Sequence, residues 1–328
     1  MLGVFLLAAA VAPQIGELKT FKDWIVGCDN GRLCQASAMM PEADVGVTVT
    51  VRRGPEPNAV PQVWLRGFDE GPADLRADGE AIGLRLKKND DDAFVVAPRD
   101  AVRLLDILRS AKSVEAFDTS GKSAGDVLVN GATAALLYMD EQQHRLGTRS
   151  ALVRRGDKPD SSVPPPPALP IRYSVEGSAK PAAKLSPSFV AKVRKDNDCP
   201  DEKDPDLVSA DRLDATHSLA MVTLICQSGA YNYISDNFVI VDGRPPQPAK
   251  FDDDKTQGDG DLHYNLSWDA KTRRLDGGMK GRGIGDCGGR EHYVWDGTQF
   301  RLVAIETMGE CRGVIDFISV WRARVIDR

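Results

Sequence analysis

Six cysteines are spread along the chain, and none of them belongs to a Cys-x-x-Cys pair: Cys28, Cys34, Cys199, Cys226, Cys287 and Cys311. Their spacings match no zinc pattern, and an even number in an exported chain predicts three structural disulfides. If the two halves of the chain fold separately, Cys28 must pair with Cys34, and three pairings remain for the other four cysteines. We favour Cys199–Cys226 together with Cys287–Cys311, because closure in sequence order suits a β-meander.

The amino terminus has the character of a secretion signal. About a dozen apolar residues end in the small side chains of Ala10-Val11-Ala12, a pattern typical of a signal-peptide cleavage site. The run is too short to cross a bilayer, and no other apolar segment approaches the ~20 residues that a transmembrane helix needs. We therefore predict a signal peptide over residues 1–16, no transmembrane anchor, and a periplasmic or secreted location.

A proline-rich stretch divides the 328 residues into two parts. Four consecutive prolines at 164–167 fit neither a helix interior nor a sheet ladder, and they favour an extended spacer. Apolar residues alternate in strand fashion on both sides, whereas helical spacing is limited to 101–111, 130–147 and a short segment after Ser186. The fold class is therefore mainly β, with two antiparallel β domains, sandwich- or barrel-like, and a few short helices.

The domain boundaries follow from the same pattern. We place an N-terminal β domain with two short helices over residues 17–155 and a Pro-rich linker over 156–186. A C-terminal β-meander domain with two disulfides follows over 187–328, because two strand–turn–strand units, each with Trp-Asp before the turn, succeed one another there.

Charge and motifs argue against several classes of function. The net charge is −6, and no cluster of Lys and Arg with interleaved aromatic residues occurs, so we expect no nucleic-acid partner. The sequence contains neither a Gly-x-Ser-x-Gly nor a His-Glu-x-x-His motif, and its four histidines stand apart (His144, His217, His263 and His292). We therefore assign no catalytic residue and favour a protein that is not an enzyme.

Five glycines fall within residues 281–289, the most unusual local stretch of the chain. Gly283 and Gly285 permit the positive φ angles that make backbone N–H groups converge on an anion, and Arg282 adds positive charge. These residues form a candidate ligand site together with Asp286 and Trp295. The alternative is a tight crossing beside a disulfide, where only glycine fits, and a tryptophan that fills the core.

Five acidic residues crowd residues 252–261, and calcium prefers hard oxygen ligands of this kind. Asp252, Asp254, Asp259 and Asp261 are therefore candidate metal ligands, although their spacing does not fit an EF-hand. A solvated acidic loop is the alternative. Apart from calcium, the sequence suggests no cofactor.

Separated motifs occur over nearly the whole chain: Phe21-x-x-Trp24-x-x-x-Cys28-Asp29-Asn30 with Cys34, the stretch 281–288, Trp295-Asp-Gly, Cys311-Arg-Gly313 and Trp321. Together they resemble an uncharacterised bacterial family of exported six-cysteine proteins, known only as a domain of unknown function. The first half is also similar to the invasion-associated locus B domain, through its Trp-x-x-x-Cys opening. The resemblance implies export and three structural disulfides, and it brings no known activity, substrate or partner.

These observations favour a non-enzymatic binding protein or a component associated with the cell envelope. The alternative is a hydrolase, or an inhibitor of a hydrolase, that acts on cell-envelope polymers through the acidic and Trp-bearing loops of the second half.

Overall fold

The computed structural model describes residues 15–41, 46–68, 72–252 and 263–328. Within these ranges antiparallel sheets dominate and only three α-helices occur, which confirms the predicted mainly β class. The sheets described are open and do not close into a barrel. No helix among the described residues is both long and apolar enough to pass through a membrane. The predicted signal peptide lies outside the described ranges, except for Ile15 and Gly16.

Eleven strands form the first half of the chain: β1 (Leu18–Phe21), β2 (Trp24–Cys28), β3 (Cys34–Ala38), β4 (Thr48–Arg53), β5 (Gln62–Arg66), β6 (Pro72–Ala77), β7 (Glu80–Ala81), β8 (Leu86–Lys88), β9 (Phe94–Val96), β10 (Val114–Asp118) and β11 (Ser123–Asp126). Seven of them make one sheet in the order β1-β2-β3-β4-β5-β9-β8. The other four make a smaller sheet in the order β11-β10-β6-β7. Every pairing within these two sheets is antiparallel.

Two helices, α1 (Pro98–Ser110) and α2 (Ala132–Gln142), belong to the first half. Helix α1 begins earlier than predicted, because a proline fits the first helical turn, where its missing N–H costs nothing. Asp100 lies inside that first turn, where its carboxylate accepts a hydrogen bond from Arg85 Nε (2.8 Å) and does not cap the helix. Helix α2 is shorter than the predicted 130–147 at both ends: Gly131, with a φ of 103°, precedes its first residue, and it ends at Gln142, shortly before His144 with a φ of 56°.

The core of the first half lies between the seven-stranded sheet and the two helices. Alternate residues of β4 and β5 are fully buried and pack with apolar side chains of α1 and α2: Val49, Val51, Val63, Leu65, Leu104, Leu105 and Leu136. Each such side chain contributes roughly 1.5–3 kcal/mol by leaving water. Because side chains alternate along a strand, the intervening residues of β4 and β5 point to the opposite face of the sheet.

Eleven further strands follow the first half: β12 (Ile171–Ser174), β13 (Val208–Arg212), β14 (His217–Thr223), β15 (Ser235–Val241), β16 (Gln247–Pro248), β17 (Ser267–Asp269), β18 (Arg274–Lys280), β19 (Gly288–Trp295), β20 (Phe300–Met308), β21 (Ile318–Arg322) and β22 (Arg324–Asp327). Strands β13 to β16 and strands β17 to β21 form two antiparallel sheets in which neighbours in sequence are neighbours in space. This order is the predicted meander. Its core is aromatic, with Tyr293, Trp295, Phe300 and Trp321 all at most 2% exposed.

Helix α3 (Pro187–Asp196) opens the second half, where the sequence predicted a helix after Ser186. The Ser186 hydroxyl accepts a hydrogen bond from the backbone N–H of Phe189 (3.2 Å), which caps the helix. Strand β12 lies within the Pro-rich segment 156–186 and pairs in parallel with β22 at the end of the chain. The segment therefore contributes a strand as well as a connection, while the domain boundaries themselves stay a prediction.

All three predicted disulfides are present: Cys28–Cys34, Cys199–Cys226 and Cys287–Cys311. The first joins directly opposed residues of β2 and β3. The second ties the end of α3 to the turn that follows β14, and the third joins the segments that flank β19 and β20. No cysteine in the described part of the chain is free.

The two halves are packed against each other. A separate apolar cluster joins Ile25 and Met39 of the first half to Met308, Val314 and Ile318 of the second. The backbone N–H of Gly16 also donates to the carbonyl of Val320 (2.8 Å). The face of the seven-stranded sheet that points away from the helices is therefore partly covered by the second half.

Candidate functional site in the cleft between the halves

Polar side chains line the covered face of the seven-stranded sheet. Thr50 and Arg52 of β4 alternate with the buried valines of that strand, and Trp64 and Arg66 alternate with Val63 and Leu65 on β5. Gln35 occupies the same face on β3, opposite Arg52. The strand pattern thus directs an unusual number of hydrogen-bonding groups toward the second half of the chain.

Asp316, in the second half, accepts hydrogen bonds from three of these side chains. Its carboxylate accepts hydrogen bonds from the Trp64 indole (2.7 Å), from the Arg66 guanidinium (3.0 Å) and from the Thr50 hydroxyl (3.3 Å). The Asp316 side chain is only 11% exposed. A carboxylate with this set of donors fixes the segment that contains it on the sheet.

Gln35 connects the same segment to Arg52. Its amide nitrogen donates to the backbone carbonyl of Asp316 (2.7 Å), and its amide oxygen accepts from Arg52 Nε (3.0 Å) and Nη2 (2.8 Å). The Arg52 guanidinium also lies 5.5 Å from the centre of the Trp64 ring. Arg52 is therefore held in place, while its Nη1 group has no partner among the described residues.

Arg290 and Glu306 approach this region from the second half as cross-strand partners on β19 and β20. The Arg290 guanidinium lies over the Phe317 ring, 4.0 Å from its centre. It makes no hydrogen bond and no ion pair with any residue that the structure describes. An arginine stacked on an aromatic ring keeps its N–H groups, which lie in the guanidinium plane, available for another partner.

His292 lies two residues from Arg290 on the same face of β19, between two carboxylates. Its Nδ1 is 2.7 Å from Asp276 Oδ1, and its Nε2 is 3.8 Å from Glu306 Oε2. Burial by itself would lower the pKa of His292, but the hydrogen bond to Asp276 and the negative charges of Asp276 and Glu306 outweigh it and raise the pKa to about 9. The imidazole is therefore protonated at neutral pH and does not serve as a general base there.

Glu306 is surrounded by cations. Burial would raise the pKa of Glu306, but the nearby His292, at 3.8 Å, and the positive charges of Arg290 and Arg52 together lower it. Its carboxylate is therefore ionised at neutral pH. With Asp276, which binds His292, two carboxylates face the three cations His292, Arg290 and Arg52 in this region.

These residues line an open cleft of about 440 Å³ between the two halves, called here the interlobe cleft: Arg52, Arg66, Arg290, Glu306, Asp316 and Phe317. A volume of this size is in the range of small-molecule sites. Two exposed aspartates, Asp91 and Asp92, stand at its rim, and Asp92 is paired with Lys88 (2.7 Å). The cleft is thus open to solvent and has charged walls.

Comparison with known proteins identifies the family. The model of the family described as "Protein of unknown function (DUF1176)" matches residues 18–324. The chain belongs to this family. It is also similar to "Uncharacterized protein YpfG" of Escherichia coli (strain K12), with 27% identity over 322 residues, 89% of this chain and 88% of that protein. No solved structure matches the chain. The resemblance inferred from the sequence motifs is thereby confirmed, and the family description states no activity.

The glycine-rich stretch 281–289 runs from the end of β18 into the start of β19. Four of the five predicted ligand residues lie together in the loop between these strands. The Arg282 guanidinium is paired with Asp286 (2.6 Å), and the fully buried Asp286 carboxylate also accepts from the backbone N–H of Gly313 (2.7 Å). Gly285 has a φ of 72°, and a Cβ on Gly288 would come within 2.0 Å of the Met279 carbonyl oxygen. Close packing therefore accounts for part of the glycine content.

Trp295, the fifth of these residues, is at the other end of β19 and is only 2% exposed. Its indole nitrogen donates to Asp214 (2.7 Å). The structure thus brings Arg282, Gly283, Gly285 and Asp286 into one loop and places Trp295 in the core of the second half, apart from them. Ligand binding by the glycine-rich loop stays a prediction.

Of the four predicted calcium ligands, only Asp252 is among the described residues; Asp254, Asp259 and Asp261 lie outside them. The Asp252 carboxylate accepts hydrogen bonds from Arg301 Nη1 (2.9 Å) and from the backbone N–H of Leu302 (2.9 Å). Calcium binding by this segment also stays a prediction.

Histidine chemistry is limited in the described part of the chain, because three of the four histidines lie next to carboxylates. His217 Nδ1 is 2.9 Å from Asp214, His263 Nδ1 is 3.6 Å from Glu291, and His292 is held as described above. No serine or cysteine side chain among the described residues hydrogen-bonds to a histidine ring. The Thr216 hydroxyl does lie 3.1 Å from a histidine ring nitrogen, His217 Nδ1, which is the same nitrogen that contacts Asp214.

The protonated His292 predicts a pH dependence of stability. The folded pKa of about 9 lies above the unfolded value of about 6.5, so the stabilisation is complete below about pH 6.5 and is lost as the pH rises through 9. The shift corresponds to roughly 3 kcal/mol, which we reduce to about 2 kcal/mol because the side chain is a quarter exposed. This stabilisation is measured as the difference in the free energy of unfolding between the wild-type protein and His292→Gln, by urea unfolding at pH 6.5 and at pH 9.5.

We expect the variant to be less stable than wild type at pH 6.5 and nearly equal to it at pH 9.5. The matched control is His144→Asn, because His144 is exposed and has a φ of 56°, a backbone conformation that asparagine tolerates. A stability difference between wild type and His292→Gln that does not change with pH would contradict the assignment.

Proposed function

We propose that this protein is exported to the periplasm or beyond the cell and acts there as a non-enzymatic binding protein of the cell envelope, with the interlobe cleft as its ligand site. One observation carries the binding part of the proposal. The cleft holds two arginines, Arg52 and Arg290, whose guanidinium groups are positioned by the protein but have no carboxylate within ion-pair distance among the described residues.

Export is supported by the three disulfides. Structural disulfides form and persist in oxidising compartments and are rare in the cytosol of most bacteria. All six cysteines are paired in disulfides. None belongs to a Cys-x-x-Cys pair, the motif typical of thiol–disulfide oxidoreductases, so a structural role is favoured. The apolar residues at the amino terminus point in the same direction, since they resemble the core of a signal peptide.

Binding without catalysis is supported by the state of the polar groups in the cleft. Asp316 is saturated by three donors, His292 is protonated, and Glu306 is ionised among cations. None of these residues is arranged to exchange a proton with a substrate near neutral pH. The alternative of a hydrolase acting on envelope polymers requires a carboxylate that is protonated or a base that is free, and the cleft favours neither.

The experiment that tests this proposal is native mass spectrometry of the purified protein after incubation with small molecules extracted from the envelope of the host cell. We expect a bound mass on the wild-type protein that is lost in the double variant Arg52→Ala/Arg290→Ala. The matched control is Arg154→Ala, because Arg154 is exposed and its side chain forms no hydrogen bond or ion pair with a residue that the structure describes.

Two results would contradict the proposal. One is the absence of any bound mass on the wild-type protein, or an equal amount on the double variant. The other is conversion of the bound molecule into a product with repeated turnover, which would favour the hydrolase alternative.

A further inference from the structure

We propose that the ligand of the interlobe cleft carries an anionic oxygen group, a phosphate or a carboxylate, that binds between Arg52 and Arg290. This inference rests on the proposed function and names the chemistry of the group that the cleft recognises.

Two adjacent residues of the second half, Asp316 and Phe317, help to position the two arginines. Gln35, which holds Arg52 through its amide oxygen, donates through its amide nitrogen to the backbone carbonyl of Asp316 (2.7 Å). The next residue, Phe317, lies under the guanidinium of Arg290 at 4.0 Å. Arg52 and Arg290 are thus fixed relative to one short segment, although they are on strands of different halves. Groups that are fixed before the ligand arrives lose little entropy when it binds.

The fixed contacts leave donors unused on both guanidinium groups. Arg52 uses Nε and Nη2 for Gln35 and keeps Nη1. Arg290 uses its flat face for Phe317 and keeps its N–H edge. Arginine N–H edges match the paired oxygens of carboxylates and phosphates, with two parallel hydrogen bonds in the favourable case. A neutral hydroxyl or amide would satisfy these donors less completely.

The other charged groups in the cleft do not supply the missing anion. Asp316 is bound to Arg66 and Asp92 to Lys88, each within 3.0 Å. Glu306 is the carboxylate near both arginines, but its charge is shared with His292. Asp91 is exposed at the rim, where its charge is screened by solvent. An anion with two or three oxygens between Arg52 and Arg290 would complete this charge pattern.

The volume of the cleft indicates that the anionic group is part of a larger molecule. About 440 Å³ exceeds what a phosphate or carboxylate occupies, and it suits a small organic molecule. The remaining wall includes Ile315, which is 45% exposed and offers an apolar contact. We therefore expect small organic phosphates or carboxylates to bind more tightly than the free inorganic ion.

Nuclear magnetic resonance of the arginine side chains tests the inference, with inorganic phosphate and acetate as separate probes at constant ionic strength. We expect saturable shifts of the Nε–Hε signals of Arg52 and Arg290 with at least one of the two probes. Replacement Arg290→Ala or Arg52→Ala should weaken that binding about tenfold, which corresponds to the loss of one charge-assisted contact. Arg154→Ala should leave it unchanged.

Arg290→Lys separates charge from geometry. If paired N–H groups hold the anion, the lysine variant, which keeps the charge but loses the planar donor edge, should bind several-fold more weakly than wild type. Thermal unfolding of each variant shows whether it is folded. The relative strength of the phosphate and acetate titrations distinguishes the two kinds of anion.

The inference is overturned if neither probe gives a saturable shift. It is also overturned if the Arg52 signal shows the same affinity for the probe in Arg290→Ala as in the wild-type protein. The proposed function fails separately, when no envelope molecule binds to the wild-type protein. If the wild-type protein binds a neutral envelope molecule and the double arginine variant does not, the proposed binding function is supported and the proposed anionic group is contradicted.

Discussion

Replacement of Asp140 by alanine is expected to lower the free energy of unfolding by about 3–5 kcal/mol, the range for removing one partner of a buried ion pair. Asp140 is fully buried at the end of α2, where its carboxylate accepts from the backbone N–H groups of Leu152 and Val153, each at 2.8 Å. Arg53 Nη1 lies 3.8 Å away, and the Arg53 side chain is 2% exposed. Without Asp140, that buried guanidinium loses its negative partner.

The pKa values of this cluster show how strongly it is buried. Burial raises the pKa of Asp140 despite its hydrogen bonds, and burial, together with the charge of the neighbouring Arg145, lowers the pKa of Arg53 to about 10. Each group is therefore costly to leave alone in this environment. The cluster joins α2 to the segment that follows it, so its loss should affect the whole first half.

Urea unfolding followed by circular dichroism measures the effect. The matched control is Asp106→Ala, which removes an aspartate paired with Arg109 (2.9 Å) and Arg155 (2.8 Å) at the surface, where the Asp106 side chain is 39% exposed. We expect that control to cost less than about 1 kcal/mol. Equal losses for the two variants would show that the buried cluster does not stabilise the fold as described.

Removal of the Cys199–Cys226 disulfide is expected to cost about 3.6 kcal/mol on the loop-closure model, because the bridge closes a loop over a separation of 27 residues. That loop contains β13 and β14, and Cys199 belongs to the small apolar cluster in which Val193 of α3 packs on Val222 and Leu224. Without the disulfide, the unfolded chain gains conformational entropy, which lowers the free energy of unfolding. The double variant Cys199→Ala/Cys226→Ala, unfolded in urea without reductant, measures it.

The comparison variant is Cys28→Ala/Cys34→Ala, whose bridge spans a separation of only 6 residues. Loop closure predicts about 2.4 kcal/mol for it. Each bridge has at least one buried cysteine, so both variants also lose some packing. If the short bridge proves the more stabilising of the two, loop closure is not the main contribution.

Much of the fold can be predicted from the sequence, because it depends on local patterns. Alternation in β4 and β5 and the spacing of apolar residues in α1 give the elements. Separate folding of the halves gives Cys28–Cys34 and leaves three pairings for the other four cysteines, of which the meander favours closure in sequence order. The errors fall at helix ends. Gly131, whose φ is positive, precedes the first residue of α2, and α2 ends at Gln142, five residues before the predicted end.

The interlobe cleft could not be predicted from the sequence. Arg52 and Arg290 are 238 positions apart, and neither belongs to a motif. The only local indication is that β4 and β5 alternate buried apolar residues with large polar ones, which suggests a covered polar face without saying what covers it. The glycine-rich stretch, in contrast, is conspicuous in the sequence, yet its Arg282 and Asp286 are paired with each other.

The Cys199–Cys226 bridge also has a different interpretation in reduced protein. The sulfur atoms of Cys199 and Cys226 and a carboxylate oxygen of Glu202 lie within 4.8 Å of one another. In the folded protein both sulfurs are bonded to each other, so this group is structural. If the cysteines were reduced, two thiolates and one carboxylate would form a possible set of metal ligands.

The oxidation state of the six cysteines in the host cell therefore tests the account most directly. Cells are quenched with acid, free thiols are alkylated, and the protein is recovered from separated envelope and cytosolic fractions for mass spectrometry. The account predicts protein in the envelope or the medium, with no alkylated cysteine until a reductant is added and six afterwards. Cytosolic protein with alkylated cysteines, or with a metal bound at Cys199 and Cys226, would contradict it.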